Sequence, residues 1–124
     1  MAGLSADTPK PVGLTLHAQS RRLEIEFNDG QSFALPFEFL RVHSPSAEVQ
    51  GHGTAQAILQ TGHRLVNITA LEPVGHYAVR PQFSDGHGSG LFSWDYLHYL
   101  GSHQTALWAS YLAALEAVGA SRDG

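Results

Sequence analysis

The sequence predicts an α+β fold: an antiparallel β-sheet meander with C-terminal helices packed on one face. Three observations predict it. Arg22 to Phe27 (RLEIEF) alternates apolar and charged residues with the period of two of a strand that has one wet face. Asn28-Asp29-Gly30 follows at once, and Asp-Gly readily takes the positive φ values of a tight hairpin turn. Near the C-terminus, Leu107, Trp108, Tyr111, Leu112, Leu115 and Val118 recur at helical spacing. Strands first and helices last put the helices over one face of a sheet.

Taken in order, Met1 to Val12 is polar, holds Pro9 and Pro11, and reads as a disordered leader (1–12). The domain itself is expected over 13–119, with 120–124 as a tail. Gly13 to Ala18 alternates, with Leu14 and Leu16 on one face. Arg22 to Phe27 and Gln31 to Leu35 complete a three-stranded meander. Pro36 breaks the third strand and can start a helical turn, PFEFLR. Leu65 to Leu71 and Tyr77 to Phe83 are expected strands, with Glu72 to Gly75 as the turn between them. Pro81 marks the second of these as an edge or a bulge. Ser84 to Gly90 is a glycine-rich turn. Ser93 is a good N-cap for a helix from Trp94 to Leu100, with Asp95 in its first turn to complement the dipole. Gly101 is expected to end that helix, Ser102 to cap the next, and Gly119 to stop it. The apolar stripe of the last helix is read as the face packed on the sheet.

Bulk composition narrows the function classes. The 124 residues fit one domain, and 43% hydrophobic with 15% charged residues is ordinary for a chain that buries a core. Cysteine is absent, which removes disulfides, thiolate metal sites and cysteine nucleophiles together. No basic n-region or apolar run opens the chain and no stretch approaches a membrane span, so the expected address is the cytoplasm. Net charge is −4, Lys10 is the single lysine, and only Arg21-Arg22 sit together among the arginines. A phosphate-binding surface needs clustered cations, so nucleic acid is excluded as a partner.

Eight histidines are the unusual figure, and histidine can ligate metals or switch charge near neutral pH. His43, Glu48 and His52 lie within ten residues, and Asp85 with His87 lies on a second loop. If the loops meet, they offer a mixed nitrogen and oxygen set suited to iron or zinc. The spacing does not fix such a site, since there is no H-x-x-x-H helix and no cysteine pair. Ser44 and Ser102 each adjoin a histidine, but there is no G-x-S-x-G elbow, and neighbours in sequence do not make a triad. Gly86-His87-Gly88-Ser89-Gly90 lacks the lysine ending of a phosphate loop.

Two segments carry a family resemblance. LRVHSPSAEVQGHG (Leu40 to Gly53) and FSDGHGSGLFSWDYLHYLG (Phe83 to Gly101) resemble the signatures of the γ-butyrobetaine hydroxylase-like N-terminal domain, also known as domain-of-unknown-function family 971. The resemblance runs from about Pro11 to Gly119, and its S-D-G-H…G-L-F-S-W-D-Y-L run is its most specific part. It implies a small α+β domain of the stand-alone bacterial type. Related domains also precede the catalytic domain of carnitine-pathway dioxygenases or are fused to P-loop iron–sulfur carriers in chloroplasts. In the dioxygenases the resemblance implies one zinc, held by a C-x-C-x-x-C loop and a histidine. Those positions fall here on Ser44, Ser46, Val49 and His87, so only the histidine remains. Serine hydroxyls are poor zinc ligands beside thiolates and valine has none to offer. Packing of Phe37, Phe39 and Leu40 under the loop is expected to replace the ion.

The expected function is therefore not enzymatic. One reading is an accessory domain that assists iron–sulfur or other metal-cofactor assembly by binding a protein partner, an iron–sulfur assembly protein or a redox enzyme, with the domain a monomer or a weak homo-oligomer. Its contact surface would join His43 to Gly53 with Asp85 to Gly90 and the helix start, using Arg41, Ser44, Ser46, Asp85, Trp94 and Asp95. The alternatives are a small iron- or zinc-binding domain in which His43, Glu48, His52 and His87 converge, or a purely structural interaction module.

Overall fold

The structure is a computed structural model and describes residues 9–45 and 62–122. Its element order is β1 (Pro11–His17), β2 (Arg22–Phe27), β3 (Ser32–Pro36), α1 (Phe37–Val42), β4 (Ile68–Val74), β5 (Ala78–Phe83), β6 (Phe92–Ser93), α2 (Trp94–Ser102) and α3 (Gln104–Ala117). The α+β class is the predicted one. The strands, however, form two antiparallel three-stranded sheets, ordered β1-β2-β3 and β4-β5-β6.

The first sheet follows the alternation. Leu23, Ile25 and Phe27 of β2 are buried while Arg22, Glu24 and Glu26 face water. At the β2–β3 turn the Gln31 N–H donates to Asp29 Oδ1 at 3.0 Å. Pro36 caps α1, whose six residues are all buried, Glu38 and Arg41 included. Phe37, Phe39 and Leu40 sit in the main core, while the loop they are expected to support lies outside the described residues beyond Pro45.

The second sheet differs from expectation in register. β4 starts at Ile68 and runs through Glu72, Pro73 and Val74, so the turn moves to Gly75–Tyr77. Gly75 supplies the positive φ of +56° that the turn requires, and Arg80 reaches across to Glu72 at 2.8 Å. Pro73 is tolerated because β4 is an edge strand. Pro81 lies in the middle strand, but β6 pairs only with Ala78 and Val79 and stops before it.

The helices lock the two sheets together. Leu97 and Leu100 of α2 join a core that also takes Leu35 and Phe37 from the first sheet side and Val79, Phe83 and Phe92 from the second. Gly101 does not end α2; the helix continues to Ser102. Ser102 does not cap α3 either, since the N-cap position is His103, with no side-chain cap bond. The His103 ring is engaged instead with the Tyr99 carbonyl at 3.0 Å. On α3, Tyr111 and Leu115 pack against Val42 of α1, whereas Leu112 and Val118 are exposed. The stripe thus faces α1 more than a sheet. Among the described residues no helix is long and apolar enough to cross a membrane.

Candidate functional site

The end of α1 and the glycine-rich turn after β5 meet, although more than forty residues separate them. Arg41 is in the last turn of α1, and its Nε donates to Asp85 Oδ2 at 2.8 Å. The other carboxylate oxygen, Asp85 Oδ1, accepts the His87 backbone N–H at 3.1 Å. Ser44 Oγ and His87 Nε2 are hydrogen bonded at 2.9 Å. The Phe83 N–H donates to the His87 carbonyl at 2.8 Å, which closes the turn on the end of β5. Ser44 is wholly buried, and a Cβ at position 90 would collide with its hydroxyl. Gly90 is therefore required by close approach.

Two residues not foreseen from sequence complete the arrangement. The Tyr96 hydroxyl on α2 donates to the His43 carbonyl at 2.5 Å, fixing the residue just before Ser44. His63 Nδ1 lies 3.3 Å from Asp85 Oδ2, the oxygen that Arg41 also binds. No local pattern announces either contact: Tyr96 reads as an ordinary helix residue, and His63 lies 22 positions before Asp85 in a segment without periodicity.

The electrostatics follow from burial and pairing. Burial alone would raise the Asp85 pKa, but the His87 N–H and the Arg41 guanidinium outweigh it and hold the carboxyl below its usual range. Burial lowers the pKa of His63, with Arg41 adding to the effect and Asp85 opposing it. Burial likewise lowers that of His43, against the favourable bond from its Nδ1 to the Phe39 carbonyl at 2.9 Å. Burial pushes Tyr96 up to about 12, so it stays a hydrogen-bond donor at any ordinary pH.

Of the residues singled out from sequence, the structure brings together the side chains of Arg41, Ser44, Asp85 and His87, whereas the His43 ring turns back on α1 and bonds the Phe39 carbonyl. Arg41 and Ser44, expected at a contact surface, are buried and lie under the turn, where they hold it; Asp85 is the member exposed at the surface. Trp94 and Asp95 are tied elsewhere: the Trp94 indole donates to the His76 carbonyl at 2.8 Å, and Asp95 accepts from Ser93 Oγ at 2.7 Å. Ser46, Glu48, Val49 and His52 lie outside the described residues. A cleft of about 380 Å³ between α1 and α3, lined by Phe39, Trp108 and Leu112 among others, includes none of the predicted site residues.

The zinc implied by resemblance does not fit the donors present. Of the two positions described, Ser44 and His87 bond directly to one another. Among the described residues no three of His, Cys, Asp and Glu converge as a metal site would need.

Comparison with known proteins gives a consistent picture. Residues 14–98 match the model of the family described as γ-butyrobetaine hydroxylase-like, N-terminal. No curated protein matches the chain. One protein solved by NMR in solution is similar at 49% identity and a TM-score of 0.82, over 94% of this chain and 91% of that one. A second NMR structure is similar at 52% identity and a TM-score of 0.81, over 98% and 91%. A crystal structure from Acidithiobacillus ferrooxidans, of a protein with unknown function described as belonging to the DUF971 family, is 38% identical with a TM-score of 0.63. That match covers 74% of this chain and 92% of that one.

Proposed function

The chain belongs to the γ-butyrobetaine hydroxylase-like N-terminal family, and on that premise we propose that it works as a non-catalytic interaction module in the cytoplasm. The surface it offers is the turn Ser84 to Gly90 with the neighbouring Leu91 and the start of α2. The observation that supports this reading is the mounting of that turn. Ser84, Asp85, Gly86 and Ser89 are exposed, yet the turn is held from beneath by Arg41 and Ser44. A surface already fixed in one shape loses little entropy when a partner docks.

The same geometry argues against Ser44 as a nucleophile. The hydroxyl beside His87 belongs to Ser44, and a wholly buried oxygen meets no substrate. The fusion of related domains to iron–sulfur carriers, implied by the resemblance, makes an iron–sulfur assembly protein or a redox enzyme the first partner class to test.

The test is capture from native lysate on the immobilised chain, run beside a Leu91→Arg variant. Leu91 is 40% exposed next to the turn and outside the core, so the variant should fold. The expected result is enrichment of an iron–sulfur assembly or redox protein that falls about tenfold on the variant. Equal capture by both proteins, or no such protein captured by either, would overturn the reading.

A further inference from the structure

We infer that this chain holds its two site segments together without a metal ion, using a clasp made of the Ser44–His87 hydrogen bond and the Arg41–Asp85 ion pair. The inference does not depend on the partner-binding reading, because it concerns how the turn is held and not what it touches.

The geometry carries it. A tetrahedral zinc holds each nitrogen and oxygen donor at roughly 2.0–2.2 Å, which sets two such donors about 3.3 Å apart with the ion between them. Here the His87 ring nitrogen and the Ser44 oxygen are 2.9 Å apart and share a proton. The ring nitrogen that would face an ion is already used. Gly90 closes over the hydroxyl so tightly that any side chain at that position would strike it, and Ser44 is wholly buried while the His87 ring is half-buried. A buried hydroxyl that loses its partner is left unsatisfied, so the bond is costly to break.

Donor chemistry points the same way. Ligands must be deprotonated to bind zinc tightly, and a serine hydroxyl keeps its proton near neutral pH. Without cysteine the chain has no thiolate to offer. The ties that remain suit a metal-free joint. Arg41 holds one oxygen of Asp85, the His87 N–H holds the other, and the Tyr96 hydroxyl pins the His43 carbonyl. The α1 end is thereby attached to the turn and to α2 at three separate points, one of which, Ser44 to His87, joins two of the positions an ion would have had to join.

The experiment uses the whole chain purified without a histidine tag. Metal content is measured by mass spectrometry, and thermal unfolding is followed with and without a chelator. Ser44→Ala, His87→Phe and His87→Gln are measured alongside, the last because its amide can reach toward the Nε2 position. The nitrogen resonances of the His87 ring are recorded by NMR in the wild type and in Ser44→Ala. The expected result is no stoichiometric zinc or iron and no change of Tm in chelator. Ser44→Ala and His87→Phe should lower Tm by about 5 °C, with His87→Gln recovering part of the loss. The Nε2 resonance should move in Ser44→Ala while the rest of the spectrum stays folded. Should Ser44→Ala not fold, His87→Gln against His87→Phe still reads the bond. Stoichiometric metal whose removal lowers Tm would overturn the inference. So would a Ser44→Ala protein with unchanged Tm and an unchanged Nε2 resonance.

Discussion

His43 shows at the scale of one residue how burial becomes a pH dependence. Its ring lies tilted against Phe39 with centroids 4.6 Å apart, and burial disfavours the cation. In the unfolded chain histidine titrates at about 6.5. Between the depressed folded pKa and that value, the unfolded state binds more protons, so stability rises with pH. The contribution is complete above about pH 6.5 and is lost progressively as pH falls through the folded value. His63 acts in the same direction. Urea denaturation should therefore show stability falling from pH 7 toward pH 5. In His43→Asn, whose amide nitrogen can replace Nδ1 as donor to the Phe39 carbonyl, the slope should shrink. An unchanged slope would show that His43 is not the group responsible. Much of this site was legible: the D-G-H turn and the loop after α1 were paired by family resemblance. The buried state of Arg41 and Ser44 was not, because an arginine and a serine in sequence carry no sign of which neighbour removes them from water.

Elements were legible where periodicity was local and unreadable where a distant side chain decided. The alternation of β2 and the Asp29-Gly30 turn belong to short-range rules and agree with the structure. The end of α2 does not. Gly101 looks like a helix stop, but it lies within α2 because the Phe33 ring of β3 packs where its Cβ would be. Gly101→Ala should accordingly destabilise the protein by about 1–3 kcal/mol, although alanine is the better helix former by about 1 kcal/mol. The collision is with a ring, so shrinking the ring should relieve it. In a Phe33→Leu background the same substitution should cost less than about 1 kcal/mol or become favourable. Chemical denaturation of the four proteins of this cycle measures the coupling, and additive costs would remove Phe33 as the reason for the glycine. The displaced β4–β5 turn has a similar origin. Two prolines and a glycine in EPVG and VRPQF allow more than one register, and the Glu72–Arg80 pairing that accompanies the observed one is invisible until the strands are aligned.

For the whole molecule, the class could be read but the number of sheets could not, because strand alternation does not state which strands pair. α2 packs against both β3 and β6, and the common core makes one body of two small sheets. The C-terminal end is held in a similarly non-local way. Gly119 ends the readable helix pattern, yet Arg122 reaches back to α1 and binds Glu38 through two nitrogens, at 2.6 and 2.9 Å. Its guanidinium also lies 5.2 Å from the Trp108 ring centre. Glu38 is 6% exposed, so removing its partner leaves a carboxylate buried without a counter-charge. Arg122→Ala should then cost about 3 kcal/mol, most of it the penalty of that stranded charge and less of it the lost attraction. The two parts can be separated. In a Glu38→Gln background no charge is stranded, and Arg122→Ala should cost only about 1 kcal/mol from the Trp108 contact and residual hydrogen bonding. Urea midpoints for the wild type, both single variants and the double variant give the comparison. Equal costs of Arg122→Ala in the two backgrounds would mean that the last residues hold the fold by packing alone, with Glu38 satisfied by other groups.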